Sequence, residues 1–170
     1  MRIIKLTRGY ATKVDDEDYE ELSKYRWHVC TMQGGPKAVR NVPRVKGERP
    51  GTIYMHRQIM KAPKGVLVDH VNHDTLDNRR IANLRVCTRS QNAANRKKTR
   101  GSSRFKGVYW DKPKKKWRAQ ILVSGHYRNL GRFVNEADAG CAYNVAALEA
   151  WGEFALLNDV PSPHVGGVQA

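Results

Sequence analysis

The sequence predicts an α+β chain of two small modules, the second a three-stranded antiparallel sheet packed on one helix. Three observations support this. Residues 105–133 form three β-rich runs broken by polar turns, and residues 135–152 carry apolar residues near helical spacing. The first 96 residues split into short strand-like runs and short helices, closing on a strand–loop–strand–helix pattern. A length of 170 residues suits one ordinary domain or two small ones.

In chain order, residues 2–14 alternate loosely and read as a hairpin, after which Asp15 or Asp16 can cap a helix beginning DEDYEELSKY. Trp27-His28-Val29 and Ala38-Val39-Arg40 read as strands separated by a Gly34-Gly35-Pro36 turn. Residues 52–60 lead into a short helix that stops before the turn Lys61-Ala62-Pro63-Lys64-Gly65. Val66-Leu67-Val68 is a strand ending at Asp69-His70. A polar loop follows, then the strand Leu84–Cys87 and a helix through SQNAANRKK with Thr88 or Ser90 as its cap. KKTRGSS, residues 97–103, holds no core residue and reads as a basic linker between module 1–96 and module 104–159. In the second module a DKPKKK turn and a Ser124-Gly125-His126 turn separate the strands. Asn135 caps EADAGCAYNVAALEAWG, where Ala137, Cys141, Asn144 or Val145, and Leu148 fall near helical spacing and suggest one amphipathic helix packed on the sheet. Residues 160–170 read as a disordered tail.

Charge restricts the partners. Lys and Arg number 31 against 16 acids, a formal +15, and the pI is near 10.0. Such an excess draws polyanions, of which nucleic acid is the commonest. It is unevenly spread: residues 96–132 hold 13 basic side chains and one acid, Asp111, whereas residues 133–170 hold five acids and no Lys or Arg. No apolar run approaches the ~20 residues of a membrane span, so no membrane partner is expected. Cys30, Cys87 and Cys141 are far apart with no CxxC, which argues for reduced, buried thiols and against structural zinc. The N-terminus lacks a signal-peptide core, and the expected compartment is cytoplasmic, that of a bacterial or phage-infected host.

The segment VDHVNHDTLDNRRIANLRVCTRSQNAANR, residues 68–96, carries the chemistry. Hydrolysing a phosphodiester needs an activated water and stabilisation of the phosphate and leaving-group charge. A neutral imidazole serves the first need and a divalent cation the second. His70 supplies the base, Asp69 a carboxylate ligand, and Asn92 a second oxygen ligand. Because neighbouring strand residues point to opposite faces, Asp69 and His70 can share a site only at a strand end or bulge.

These residues resemble the HNH motif of phage and intron homing endonucleases, the ββα-metal class. The resemblance implies that module 1–96 is an HNH nuclease domain with a β-rich scaffold. It makes Asp69 and Asn92 the metal ligands, His70 the general base, and Asn83 the central Asn that braces the loop and orients the His. His56-Arg57 resembles a recurring pair in these nucleases, with a packing or backbone role. Asn rather than His at the last position implies one Mg²⁺ or Mn²⁺ per site. The loop reads Asn72-His73-Asp74 where relatives often have Asn-Gly-Asn or Asn-Gly-Asp. His73 is open between an extra ligand, a phosphate contact and a solvated turn residue.

Residues 102–158 resemble a different family, the plant ethylene-response-factor or Apetala type of DNA-binding domain. The resemblance rests on Phe105-Lys106-Gly107-Val108, Trp117-Arg118-Ala119-Gln120-Ile121, Leu130-Gly131-Arg132-Phe133, Ala142-Tyr143-Asn144 and Leu157-Asn158. It implies a sheet that enters the major groove of double-stranded DNA, with Lys106, Tyr109, Gln120, Tyr127 and Asn129 facing it. Arg118 shares the face of Gln120 by alternation. Several of that family's arginines and a groove-facing Trp are here Tyr, Gln and Asn, so its base preference does not carry over. Lys112, Lys114, Lys115 and Lys116 suit phosphate contacts, as do Arg79, Arg80, Arg85, Arg96, Lys97 and Lys98, although Arg85 is equally placed to pair with a local acid. Trp110 and Trp117 are expected in the core.

The combined expectation is a homing-type endonuclease, monomer or homodimer, in which one module cuts and the other anchors. The alternatives are a DNA-binding regulator with a vestigial nuclease fold and an RNA-binding protein.

Overall fold

The computed structural model describes residues 1–32, 34–43, 51–98 and 100–161. Contacts divide the chain into two compact units, Met1–Arg89 and Ser90–Ala170. The chain is mixed α and β, with several small antiparallel sheets.

In the first unit, β1 (Arg2–Lys5) and β2 (Ala11–Val14) form the expected hairpin. α1 (Asp16–Ser23) follows with acids throughout its first turn, which suit the positive end of the helix dipole. Asp15 stands at the N-cap and its backbone carbonyl accepts the Asp18 N–H at 3.2 Å, but its side chain does not cap the helix; the carboxylate accepts the Ile81 N–H at 3.4 Å instead. β3 (His28–Met32), β4 (Gly35–Asn41) and β5 (Thr52–Tyr54) make one antiparallel sheet. Gly35 and Pro36, expected in the turn, are the first residues of β4.

α2 (Met55–Ile59) packs into a core of Ile4, Leu6, Val14, Leu22, Trp27, Val29, Ala38 and Leu84. β6 (Leu67–His70) pairs with β7 (Leu84–Cys87), and α3 (Arg80–Asn83) lies in the connection between them. Leu84 brings this hairpin into the core, which at about 25 cal/mol per Å² of buried apolar area is the main force holding it there.

After Thr88 comes α4 (Arg89–Ala94), shorter than the expected run to Lys98, with the unit boundary at its first residue. The boundary therefore precedes the expected linker. The reason is hydrogen bonding: the Lys106 ammonium is bound by the Ala93 and Ala94 carbonyls, the Leu156 N–H reaches the Ala94 carbonyl at 3.3 Å, and Trp151 Nε1 donates to Ser90 Oγ at 3.0 Å. The described part of 97–103 is likewise tied down. Lys98 Nζ donates to the Phe105 and Val108 carbonyls, Ser103 Oγ accepts the Phe105 N–H, and Ser102 Oγ accepts the Trp110 N–H. Thr99 lies outside the described residues.

The second unit's strands are β8 (Val108–Asp111), β9 (Lys116–Val123) and β10 (His126–Phe133), paired in the order β10-β9-β8 with a bulge at Leu130. α5 (Glu136–Trp151) packs on one face, against Ala119, Ile121, Trp117 and Phe133. Its buried stripe is Ala139, Gly140, Tyr143, Ala146 and Ala147, whereas Cys141, Val145 and Leu148 are exposed. The expected stripe was rotated from the real one because small residues, not the largest apolar ones, let helix and sheet approach closely. The buried-thiol expectation consequently holds for Cys87 but not for exposed Cys141. Trp117 packs on the core, with the partly exposed Trp110 edge-on to it at 5.0 Å. Val160, expected in a loose tail, packs on the core too; residues 162–170 lie outside the described residues.

Asn144 and Asn158 exchange side-chain and backbone bonds, and the Asn158 amide bridges both backbone groups of Lys106. This fixes the segment leading into β8, where Gly107 sits at φ +74°. A Cβ there would lie 2.0 Å from the Tyr143 ring and 2.7 Å from the Gln120 carbonyl oxygen. Gly107→Ala is therefore expected to lower stability by about 3 kcal/mol, combining left-handed strain with overpacking. Denaturant unfolding followed by tryptophan fluorescence checks this; a loss under 1 kcal/mol contradicts the close approach.

Candidate active site

Asp69 and His70 are the last two residues of β6, so the strand-end condition is met. Both are buried, at 8% and 6% exposure. Register pairs Asp69 with Arg85 and His70 with Leu84. Both Arg85 Nε and Nη2 donate to Asp69 Oδ2, at 3.2 and 3.1 Å. Of the two roles open to Arg85, phosphate contact or partner of a local acid, the structure shows the second: it answers the carboxylate, which needs a counter-charge at this depth.

The loop after His70 folds back on itself. Asn72 Oδ1 accepts the Asp74 N–H at 2.8 Å, and Asp74 Oδ1 accepts the Leu76 N–H at 3.0 Å. His73, bridged by the first of these turns, has φ +65° and is half-buried. That is the left-handed conformation favoured by the Gly of relatives, which His tolerates better than most residues. Asn83, fully buried, accepts the Asn72 N–H at 2.8 Å and donates to the Asp77 carbonyl at 2.6 Å and the Asp74 carbonyl at 3.4 Å. Its amide thus ties the two sides of the loop together.

The amide at the His ring is a different one. Asn78 Oδ1 lies 3.1 Å from His70 Nε2, and Asn78 Nδ2 donates to Thr12 Oγ1 at 2.8 Å. Thr12 in turn donates to the Leu76 carbonyl at 2.7 Å, with the Met55 sulfur a longer 3.9 Å contact. Sequence reasoning left both unassigned: Asn78 lay inside the quoted motif without a role, and Thr12 lies in the hairpin read as scaffold. The available signal was a polar residue on the inward face of β2, which Thr12 shares with Val14.

Burial pushes the His70 imidazole below its ordinary pKa, outweighing the Asn78 hydrogen bond and the Asp69 charge that pull it up. Its ring meets that of His56 edge-on at 5.2 Å between centroids. His56 is buried, its Nδ1 has no hydrogen-bond partner among the described residues, and burial followed by the charge of His70 pushes its pKa down to about 3. Arg57 donates to the Val66, Ala62 and Pro63 carbonyls and so shapes the turn entering β6. The pair His56-Arg57 therefore has the packing and backbone roles expected of it.

Among the described residues no three His, Cys, Asp or Glu side chains converge on a metal position. A cation here would draw on Asp69 and amide oxygens, a donor set suited to a hard, oxygen-preferring ion. Asn92, the expected second donor, is half-buried on α4 in the second unit.

Several expected DNA contacts are committed within their own units. Arg79 binds Asp77 through two bonds of 2.7 and 2.6 Å, holding that carboxyl below its usual pKa. Arg80 binds Asp18, which leaves it, like Arg79 and Arg85, spent on a local acid. Lys98 and Lys106 cap carbonyls as described, and burial pushes Lys106 down to about 8. Arg96 and Lys97 are exposed.

Tyr109, Arg118, Gln120, Tyr127 and Asn129 share the open face of the β8–β10 sheet, opposite α5, because their register partners alternate away from the helix-facing Ala119 and Ile121. Tyr109 donates to Gln120 at 3.1 Å and lies under the Arg118 guanidinium. Lys114, Lys115 and Lys116 are exposed at the β8–β9 turn.

A buried imidazole and carboxylate at a strand end, braced by a network of Asn amides, define a candidate hydrolytic centre. The HNH endonuclease family model matches residues 61–94, which contain it. A protein of Acanthamoeba polyphaga mimivirus described as an uncharacterized HNH endonuclease is 30% identical over 159 residues, covering 90% of this chain and 77% of that one. The chain belongs to the HNH endonuclease family. A protein of Oryza sativa subsp. japonica described as containing AP2/ERF and B3 domains is 44% identical over 64 residues, 38% of this chain and 20% of that protein. No solved structure matches the chain.

His56 sets a pH test. Its folded pKa, about 3, lies below the unfolded value near 6.5, so the unfolded chain takes up the proton first as pH falls. Its contribution to stability is complete above pH 6.5 and is lost from there down to about pH 3, reaching a loss of about 3 kcal/mol at pH 4.5. His56→Phe should remove this slope. Unfolding free energies of both proteins at pH 7 and 4.5 check it, and parallel pH dependence contradicts it.

Proposed function

We propose that this chain is a homing-type DNA endonuclease that hydrolyses a phosphodiester with one divalent cation. The observation that carries the reading is His70, buried and disposed to stay neutral, beside Asp69 at the end of β6 within the HNH-matched segment. A neutral imidazole near pH 7 is the form that accepts a proton.

In this reading His70 takes a proton from water as the water oxygen bonds to phosphorus and the bond from phosphorus to the leaving sugar oxygen breaks. Asp69 and Asn92 would hold Mg²⁺ or Mn²⁺, which when bound stabilises charge on the phosphate and the leaving oxygen. Asn83 keeps the loop in shape around the base. Module 1–96 cuts and module 104–159 anchors. The sheet face bearing Tyr109, Arg118, Gln120, Tyr127 and Asn129 meets the major groove of double-stranded DNA, a placement supported by their shared outward face and by the AP2/ERF-named relative. Lys114, Lys115 and Lys116 neutralise phosphates. One centre per chain makes one nick, and a double-strand break needs a homodimer or two successive events. The expected setting is the cytoplasm of a bacterial or phage-infected cell.

The Asp69–Arg85 ion pair favours one other reading, a DNA-binding regulator in which Asp69 is kept to staple the hairpin. The two separate on supercoiled plasmid with Mg²⁺. The nuclease reading expects nicking that EDTA abolishes, and that His70→Ala reduces about 100-fold or more with DNA affinity retained. Full cutting by His70→Ala overturns the assignment; no metal-dependent nick by the wild type favours the regulator.

Replacing Lys114, Lys115 and Lys116 together by Ala should lower the slope of log K against log salt by about 3, since each phosphate contact contributes roughly 0.9. An unchanged slope in fluorescence anisotropy removes this turn from the interface.

A further inference from the structure

The hydrogen bonds around His70 determine which ring nitrogen carries its proton, and the determination begins at a backbone carbonyl. The Leu76 carbonyl can only accept, so the hydroxyl proton of Thr12 points to it across 2.7 Å. Toward Asn78, Thr12 Oγ1 is then an acceptor, and the Asn78 atom 2.8 Å from it is the NH₂ nitrogen. That leaves Asn78 Oδ1 facing His70 Nε2 at 3.1 Å. An amide oxygen cannot donate, so Nε2 bears the proton and the ring's lone pair sits on Nδ1. Each assignment follows from the one before, and Leu76 is itself held because its carbonyl also accepts the Lys13 N–H at 2.9 Å.

We infer that Thr12 and Asn78 are positioning residues for the general base: together they hold His70 in its Nε2–H tautomer, so that Nδ1 is the atom that receives the proton from water. The inference rests on the nuclease reading for the identity of that water, but the tautomer itself is independent of it. Thr12 is 58 positions before His70 in sequence yet one amide away from it in space. The His56 ring, edge-on to His70, walls the same side chain and limits its rotation.

Thr12→Val keeps the shape of the side chain and removes the acceptor that orients Asn78. The amide is then able to turn its NH₂ toward Nε2, a geometry that demands the opposite tautomer. The test uses the full chain labelled with ¹⁵N-histidine at neutral pH, the His70 signals being those absent from His70→Gln. Long-range ¹H–¹⁵N correlation should show wild-type His70 with a pyrrole-like Nε2 and a pyridine-like Nδ1. In Thr12→Val the Nδ1–H form should rise, and kcat for plasmid nicking should fall about 10- to 100-fold with DNA affinity unchanged.

Thr12→Ser, which keeps the hydroxyl, should restore both signals. Asn78→Ala provides a second test by removing the oxygen itself, and it should also lower kcat. A wild-type His70 protonated on Nδ1 overturns the inference, as does a folded Thr12→Val with wild-type tautomer and rate. A protein that shows the Nε2–H signature but nicks no DNA overturns the nuclease reading instead.

Discussion

The loop that carries the candidate site depends on a short piece of strand pairing with the N-terminal hairpin. Lys13 donates its N–H to the Leu76 carbonyl at 2.9 Å and accepts the Asn78 N–H at 2.8 Å, so β2 gains a parallel neighbour at Asp77. Without that clamp the loop of residues 71–79, polar but for Val71 and Leu76, has little apolar surface to bury and should pay a large conformational entropy cost for order. With it, Leu76 packs against the core, Asp77 is buried and ion-paired to Arg79, and Asn78 is delivered to the His ring. A second tie comes from the other side, where Thr75 Oγ1 donates to the Pro36 carbonyl at the start of β4. The scaffold of the first unit is therefore part of the site and not merely its support.

The same clamp explains what was legible in the sequence. Asp69, His70 and Asn83 stood out because their spacing within one segment is local information. Strand periods and turn residues likewise placed both hairpins and the meander. Thr12 was illegible because nothing local distinguishes a strand Thr that packs from one that donates to a loop 64 residues away. The helix-facing stripe of α5 was misread for a related reason. Alanine and glycine give little periodic signal, so the larger Cys141, Val145 and Leu148 dominated the pattern, although a close helix–sheet approach selects small residues.

Charge was the other source of error, and it has one physical cause. A sequence reports how many cations it has but not which acids or carbonyls they meet. Arg79, Arg80 and Arg85 each found a carboxylate within the first unit, and Lys98 and Lys106 were drawn to carbonyls at the entry to β8 and the end of α4. Buried carboxylates such as Asp69 and Asp77 require such partners, because an uncompensated charge at that depth costs several kcal/mol. The net +15 already subtracts those acids, so the pairing changes which cations can face a polyanion and not the surplus itself; Lys114, Lys115 and Lys116 at the β8–β9 turn are among the exposed ones.

The Asp69–Arg85 pair makes the consequence specific. Both residues stand at directly opposed positions of β6 and β7, so the pairing register itself brings their charges together. Near-full burial of the carboxylate means that its negative charge needs a cationic partner, which in this structure is Arg85. Two positive partners on one carboxylate repel each other, so a bound dication would weaken the hold on the guanidinium. In the proposed nuclease reading, an arginine loosened in this way would suit an anionic phosphate. The two roles open to Arg85, partner of a local acid and phosphate contact, would then be successive and not exclusive, with the carboxylate as the partner seen in this structure.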